Sequence, residues 1–107
     1  MGRGPEVDVA RNLRTIEWLK AELVGGVSAL FRSLWKGGDE AILEALASVI
    51  IVCYLLTRRL GVHFVRLELK LESQLRRYVS EGHELEEWFG DLSALERYWK
   101  DQSKRRP

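Results

Sequence analysis

Residues 21–61 read AELVGGVSALFRSLWKGGDEAILEALASVIIVCYLLTRRLG, and this stretch decides the fold class. Two largely apolar segments flank the pair Gly37-Gly38, and the second segment begins at Asp39, a residue type that caps helices well. That segment ends with two arginines shortly before Gly61, which is typical of a helix C-terminus because cations stabilise the last carbonyl groups. The stretch therefore predicts two long helices folded back on each other as an antiparallel hairpin.

The composition indicates a small globular protein. The chain has 107 residues, of which 46% are hydrophobic and 31% charged, and this suits one domain with a modest core. Its net charge of +1 gives no reason to expect a nucleic acid as partner. Because the chain has one cysteine and no apolar signal segment at its N-terminus, we expect a cytoplasmic location. We expect that cysteine, Cys53, to be a small buried hydrophobe.

The apolar run 41–56 invites interpretation as a membrane span. A span needs about 20 apolar residues, whereas this run is shorter, contains Glu44 and is followed by Arg58 and Arg59. We therefore expect a core helix and no membrane partner. Because a helix that is apolar nearly all round needs cover from further chain, the run predicts an obligate homodimer, or a tetramer.

Apolar side chains at three- and four-residue spacing predict an all-α bundle of four to five helices. The expected ranges are, in order, about 8–35, 39–60, 64–79, a short turn from His83 to Phe89, and a last helix from about Asp91. We expect one domain over 1–107, with its core in about 8–80 and a C-terminal helical extension in about 83–103.

Two places leave the local structure open. The pair Gly25-Gly26 interrupts the first helical pattern, and close packing against a neighbour explains it as well as a kink or loop does. Alternating apolar residues over 65–71 are also typical of a strand. We favour a helix there because a stripe from Leu60 to Tyr78 has helical spacing and the opposite side carries good helix formers.

The turn and helix KGGDEAILEALA and the helix end YLLTRRLGV resemble the MazG-like family of all-α nucleotide pyrophosphohydrolases. The resemblance covers roughly residues 10–80, and the segment after it resembles a compact bacterial subgroup. Members carry E-x-x-E on one helix and E-x-x-D on the next. The resemblance implies that these carboxylates hold Mg²⁺ against a triphosphate. The matching positions are Glu22, Gly25, Ala45 and Ser48, so one carboxylate of the four is kept.

The replaced positions are small residues, which leads to a packing hypothesis. Gly25 and Ala29 form a small-residue step on the first helix, and Ala41, Ala45 and Ser48 form one on the second. Two such faces can approach closely and fill the space of the ancestral pocket. Glu44 is adjacent to the third motif position, but one residue turns it by about 100° around the helix. Glu22 and Glu44 are therefore weak candidates for a metal site.

The third helix extends the resemblance. Members show K-x-x-x-N-x-x-K-Y-P there, and the resemblance implies that the lysine and asparagine reach nucleotide phosphates. The segment KLESQLRRYV supplies Lys70, Gln74 and Arg77 at those positions, with Val79 in place of proline. The residues alone favour an ordinary solvated basic face. If phosphate binding is retained, these three side chains are the candidates for it.

Three functions follow. In the first, the chain is a catalytically degenerate module that binds a nucleotide or serves a structural role. In the second, it is an active enzyme with relocated Mg²⁺ ligands, drawn from Glu22, Glu44 and either Asp39 or Glu40. In the third, it is a helical interaction protein without a ligand. The lost motif residues favour the first or the third, and the family resemblance keeps the second open. No catalytic residue and no cofactor is assigned, except Mg²⁺ if the chain is active.

Overall fold

A computed structural model describes residues 5–82 and 84–105, with side chains described from residue 8 onward. This part of the chain contains five helices and no strand, which confirms the predicted all-α fold. The helices are α1 (Pro5–Lys36), α2 (Asp39–Arg59), α3 (Phe64–Glu81), α4 (Glu84–Phe89) and α5 (Asp91–Arg105). The strand alternative for 65–71 is wrong, because that stretch lies inside α3. The predicted start of the short turn, His83, lies outside the described residues.

The helices fall into two compact units, which are described separately: the described residues up to Phe64, and those from Val65 onward. The first unit is the α1–α2 hairpin. Its turn uses Gly37 and Gly38, with φ angles of 82° and 99°, where residues with a Cβ are strained. The N-cap of α2 is Gly38 and not the expected Asp39, which is the first helical residue and lies with Glu40 in the acidic first turn.

The glycine pair in α1 lies in neither a kink nor a loop, and close packing explains Gly26 but not Gly25. The helix is continuous from Pro5 to Lys36. A Cβ added to Gly26 would lie 3.2 Å from Cγ2 of Val49 on α2, whereas a Cβ on Gly25 would meet nothing within 4 Å. Leu19 of α1 is 2% exposed and Ala45 of α2 is 8% exposed. The hairpin core is therefore narrow, and Gly26 lets the helices approach.

A polar contact closes the other end of the hairpin. The Asn12 side-chain amide donates to the Arg59 carbonyl oxygen at 2.9 Å, and Nη1 of Arg59 donates to Oδ1 of Asn12 at 3.2 Å. The two residues are 47 positions apart in the chain. This reciprocal pair fixes the N-terminal half of α1 against the last turn of α2.

Much of α2 remains uncovered in the single chain. Its exposed apolar side chains are Leu43, Leu46, Ile50, Ile51 and Leu55. Cys53 is also exposed, so the expectation that it is buried is wrong for the isolated chain. Among the described helices, α2 is long and apolar enough to cross a membrane, by length and composition only.

The second unit contains an α4–α5 corner. The Glu86 carboxylate accepts hydrogen bonds from the N–H of Ser93 at 3.0 Å and from its Oγ at 2.6 Å, which caps the first turn of α5. Gly90 makes the turn with φ of 66°, and its N–H donates to the Glu86 carbonyl oxygen at 3.0 Å. On α3, Leu75 is buried.

Candidate functional site

The first pair of motif positions lies on α1. Glu22 is exposed, and its side chain lies at the edge of the face that packs on α2, given 3.6 residues per turn. Gly25, one turn further, is exposed and open to solvent on the side where a Cβ would project. Of the two motif positions on α1, the first therefore carries an exposed carboxylate and the second carries no side chain.

The second pair lies on α2 and carries no charge. Ala45 is buried, and Ser48 is exposed. Glu44 is also exposed, turned about 100° away from Ala45 around the helix. The methyl group of Ala45 thus lies in the covered part of α2, where a carboxylate would lose its hydration.

A strip of basic side chains runs along α3. Arg66, Lys70, Ser73 and Arg77 are all exposed and recur at four-, three- and four-residue spacing, so they share one helix face. Three of them, with Leu69, line a shallow cavity of about 270 Å³. Lys70, predicted from the sequence, is in this cavity, whereas Gln74 lies on the flank of the strip and is half-buried.

Arg77 is partly engaged by its own helix. Its guanidinium lies 5.2 Å from the centre of the Tyr78 ring, and its Nε lies 3.8 Å from Oε1 of Glu81. Because both partners of this ion pair are more than half exposed, the pair leaves Arg77 free to exchange Glu81 for another anion. Sequence reasoning missed Arg66 and Ser73, and their helical spacing from Lys70 was the signal that could have identified them.

The profile of the MazG-like family matches residues 9–92. The chain belongs to the MazG-like family. The match spans nearly all of α1 and the whole of α2, α3 and α4, and it ends at the second residue of α5. Neither a comparison with curated proteins nor one with solved structures finds a match. The resemblance inferred from the two hairpin helices is therefore confirmed.

In a MazG-like chain the question at the motif positions is whether Mg²⁺ fits. Mg²⁺ prefers carboxylate oxygens in octahedral geometry. Within residues 5–82 and 84–105, no group of three or more His, Cys, Asp or Glu side chains is placed to hold a metal ion. Glu22 and Glu44 are exposed single carboxylates. Neither carboxylate therefore belongs to a group of three such side chains among the described residues.

The sequence predicts that small residues at and near the MazG-like motif positions let α1 and α2 pack closely, and the structure agrees only in part. Ala45 is buried, but Gly25, Ala41 and Ser48 are exposed. The close approach uses Gly26 against Val49, one residue beyond the motif position. The hairpin core thus runs beside the motif positions, and Ala45 is the motif residue that belongs to it.

Proposed function

We propose that this MazG-like chain is a homodimeric module that binds nucleotide phosphates and does not hydrolyse them. The observation that carries the proposal is Ala45, which is 8% exposed where the family carries a glutamate. A carboxylate there would be desolvated beside apolar side chains, at a cost of several kcal/mol unless a metal or a hydrogen bond compensates it. Glu22 is the one motif carboxylate left, and it is exposed.

The basic strip on α3 supports the binding part of the proposal. Arg66 and Lys70 lie one turn apart beside the hydroxyl of Ser73. Guanidinium and ammonium groups bind phosphate oxygens through charge-assisted hydrogen bonds, and a hydroxyl adds a further donor. Arg77 continues the strip, so that successive phosphate groups of a nucleotide meet successive cations.

The homodimer part rests on the uncovered apolar surface of the hairpin. Leu43, Leu46 and Ile50 form one exposed face of α2, and Val27 and Phe31 are exposed on α1. Stable interfaces bury about 800 Å² per partner, and homodimer interfaces are apolar at their centre. A second copy of the same hairpin offers a matching apolar surface by symmetry.

Two measurements on the purified chain test binding and hydrolysis. We expect no release of pyrophosphate from nucleoside triphosphates with Mg²⁺ or Mn²⁺, and a rise in melting temperature with at least one nucleotide. Lys70→Gln should remove most of that rise. Arg76→Gln is the matched control, because Arg76 lies next to Arg77 but about 100° away around the helix.

Each contrary result has a definite meaning. Pyrophosphate release that disappears in Glu22→Ala would show an active enzyme with ligands from other positions. A melting temperature unchanged by every nucleotide would leave a helical interaction protein without a ligand. Equal nucleotide stabilisation of the two α3 variants would remove the basic strip from the proposal.

A further inference from the structure

A second cavity lies at the far end of the hairpin, where the last turn of α2 leads into the α2–α3 turn. Its volume is about 270 Å³. The residues that line it are Arg58, Arg59, Gly61, Val62, His63 and Phe64. The lining contains two guanidinium groups and an imidazole but no carboxylate, so its net charge is positive. The family's motif positions are elsewhere on the hairpin.

Basic residues at a helix end often serve to neutralise the last carbonyl groups. Here those carbonyls already have donors. The Leu56, Thr57 and Arg58 carbonyl oxygens accept the N–H groups of Leu60, Val62 and Gly61, at 3.0 to 3.1 Å. The Arg59 carbonyl oxygen accepts the Asn12 side-chain amide at 2.9 Å. The two arginine side chains are therefore not needed to satisfy these groups.

The two arginines differ in how they are held. The contact from Nη1 of Arg59 to Oδ1 of Asn12, at 3.2 Å, fixes one edge of that guanidinium and leaves its other donors available. Arg58 is exposed and has no ion pair among the residues described. The cavity thus combines a guanidinium positioned by Asn12 with a second, exposed guanidinium, and two such groups can bind the oxygens of one phosphate through charge-assisted hydrogen bonds.

The remaining lining is apolar and ordered. The Phe64 ring lies 5.7 Å from that of Tyr54, which fixes one wall of the cavity by aromatic packing. Val62 adds a second apolar contact. The volume is a little below the range of about 300–1,000 Å³ that is typical of small-molecule pockets. This size suits a phosphate group with a small organic part.

We propose that the cavity at the α2–α3 turn is a binding site for the phosphate group of a small phosphorylated molecule. Arg58 and Arg59 hold the phosphate oxygens, with His63 beside them, and Asn12 positions Arg59. The cavity and the basic strip on α3 have no residue in common. The cavity site therefore stands whether or not the chain binds nucleotides at the strip.

Titration of the full chain with inorganic phosphate, followed by amide resonances in NMR, tests the site. We expect saturable shifts of the Gly61, Val62 and His63 amides. Arg58→Gln should weaken the apparent affinity at least tenfold, whereas Arg32→Gln, an exposed arginine on α1, should leave it unchanged. Asn12→Ala should also weaken binding, because Arg59 loses its positioning contact.

Ribose 5-phosphate is the second probe. Tighter binding than inorganic phosphate supports a phosphomonoester as the ligand, and equal binding supports free phosphate. Absence of shifts at 61–63 with both probes would overturn the proposal, as would equal affinity in Arg58→Gln and the parent chain. Loss of these shifts in Lys70→Gln would also overturn it, because the phosphate would then be bound by the α3 strip.

Discussion

The two sides of α2 have similar side chains and opposite environments. Ala45 and Val49 lie against α1, where Ala45 is 8% exposed and Gly26 allows close approach. On the other side Leu43 and Ile50 are 57% and 56% exposed. The hairpin therefore uses only part of the apolar surface of α2. Because α2 is apolar nearly all round, the hairpin fold covers one face of it and leaves the other exposed, and the proposed homodimer would cover that second face.

A charge on the uncovered face should break the proposed assembly, and this is the largest expected effect. Burying an isoleucine is worth about 1.5–3 kcal/mol, and a symmetric interface contains the residue twice. Ile50→Glu should therefore raise the dimer dissociation constant by more than about a hundredfold. Sedimentation velocity over a concentration series measures it.

The control for Ile50→Glu is Glu17→Gln, an exposed substitution on α1 that should leave the dissociation constant unchanged. A monomer at every concentration in the parent chain would contradict the homodimer. A chain that needs detergent to remain in solution and forms no discrete dimer would contradict it as well, and would favour α2 as a membrane segment.

The packing of α1 against α2 can be tested by shortening the most buried side chain of the hairpin. Leu19 is 2% exposed, so Leu19→Ala should lower the free energy of unfolding by about 2–5 kcal/mol. This loss should be seen in urea denaturation and should not change with protein concentration. The loss from Leu43→Ala, on the opposite face, should depend on concentration. If both variants behave alike, the two faces of α2 are not distinct.

The smallest expected effects on the free energy of unfolding come from substitutions at Gly25 and Gly26, which compare two adjacent positions of α1. A side chain at Gly26 meets Val49 at close range, so Gly26→Leu should lower the free energy of unfolding by about 1–3 kcal/mol. Gly25→Ala should raise it by roughly 0.5–1 kcal/mol, because alanine is the better helix former and its methyl group meets nothing. Chemical denaturation of both variants measures the difference. Equal effects would mean that the helices do not meet at Gly26.

The fold was largely predictable because helix signals are local. Gly37-Gly38 marks the hairpin turn, and apolar spacing places α1 to α3 within a few residues of their ends. The N-cap was missed, because a glycine at φ of 99° leaves no signal that separates it from the aspartate beside it.

The candidate sites were less predictable than the fold, because they depend on which face of one helix packs against which face of another. Sequence spacing placed Gly25 opposite α2, but the helix phase brings Gly26 there. The partnership of Asn12 with Arg59 joins residues 47 apart and has no sequence signal. Two of the four residues of the α3 strip, Lys70 and Arg77, were predicted from the sequence. Arg66 and Ser73 were missed, although they lie at helical spacing from Lys70 within the predicted helix, and they line the cavity with it.

The α4–α5 corner has a consequence for the order of folding. Its capping contact joins Glu86 and Ser93, seven residues apart, whereas the contact of Asn12 with Arg59 closes a loop of 47. Loop-closure entropy alone separates them by about 1.7 kcal/mol, and a loop of ten residues closes in about 10–100 ns. We therefore expect the contact between Glu86 and Ser93 to form earlier in folding than the contact between Asn12 and Arg59.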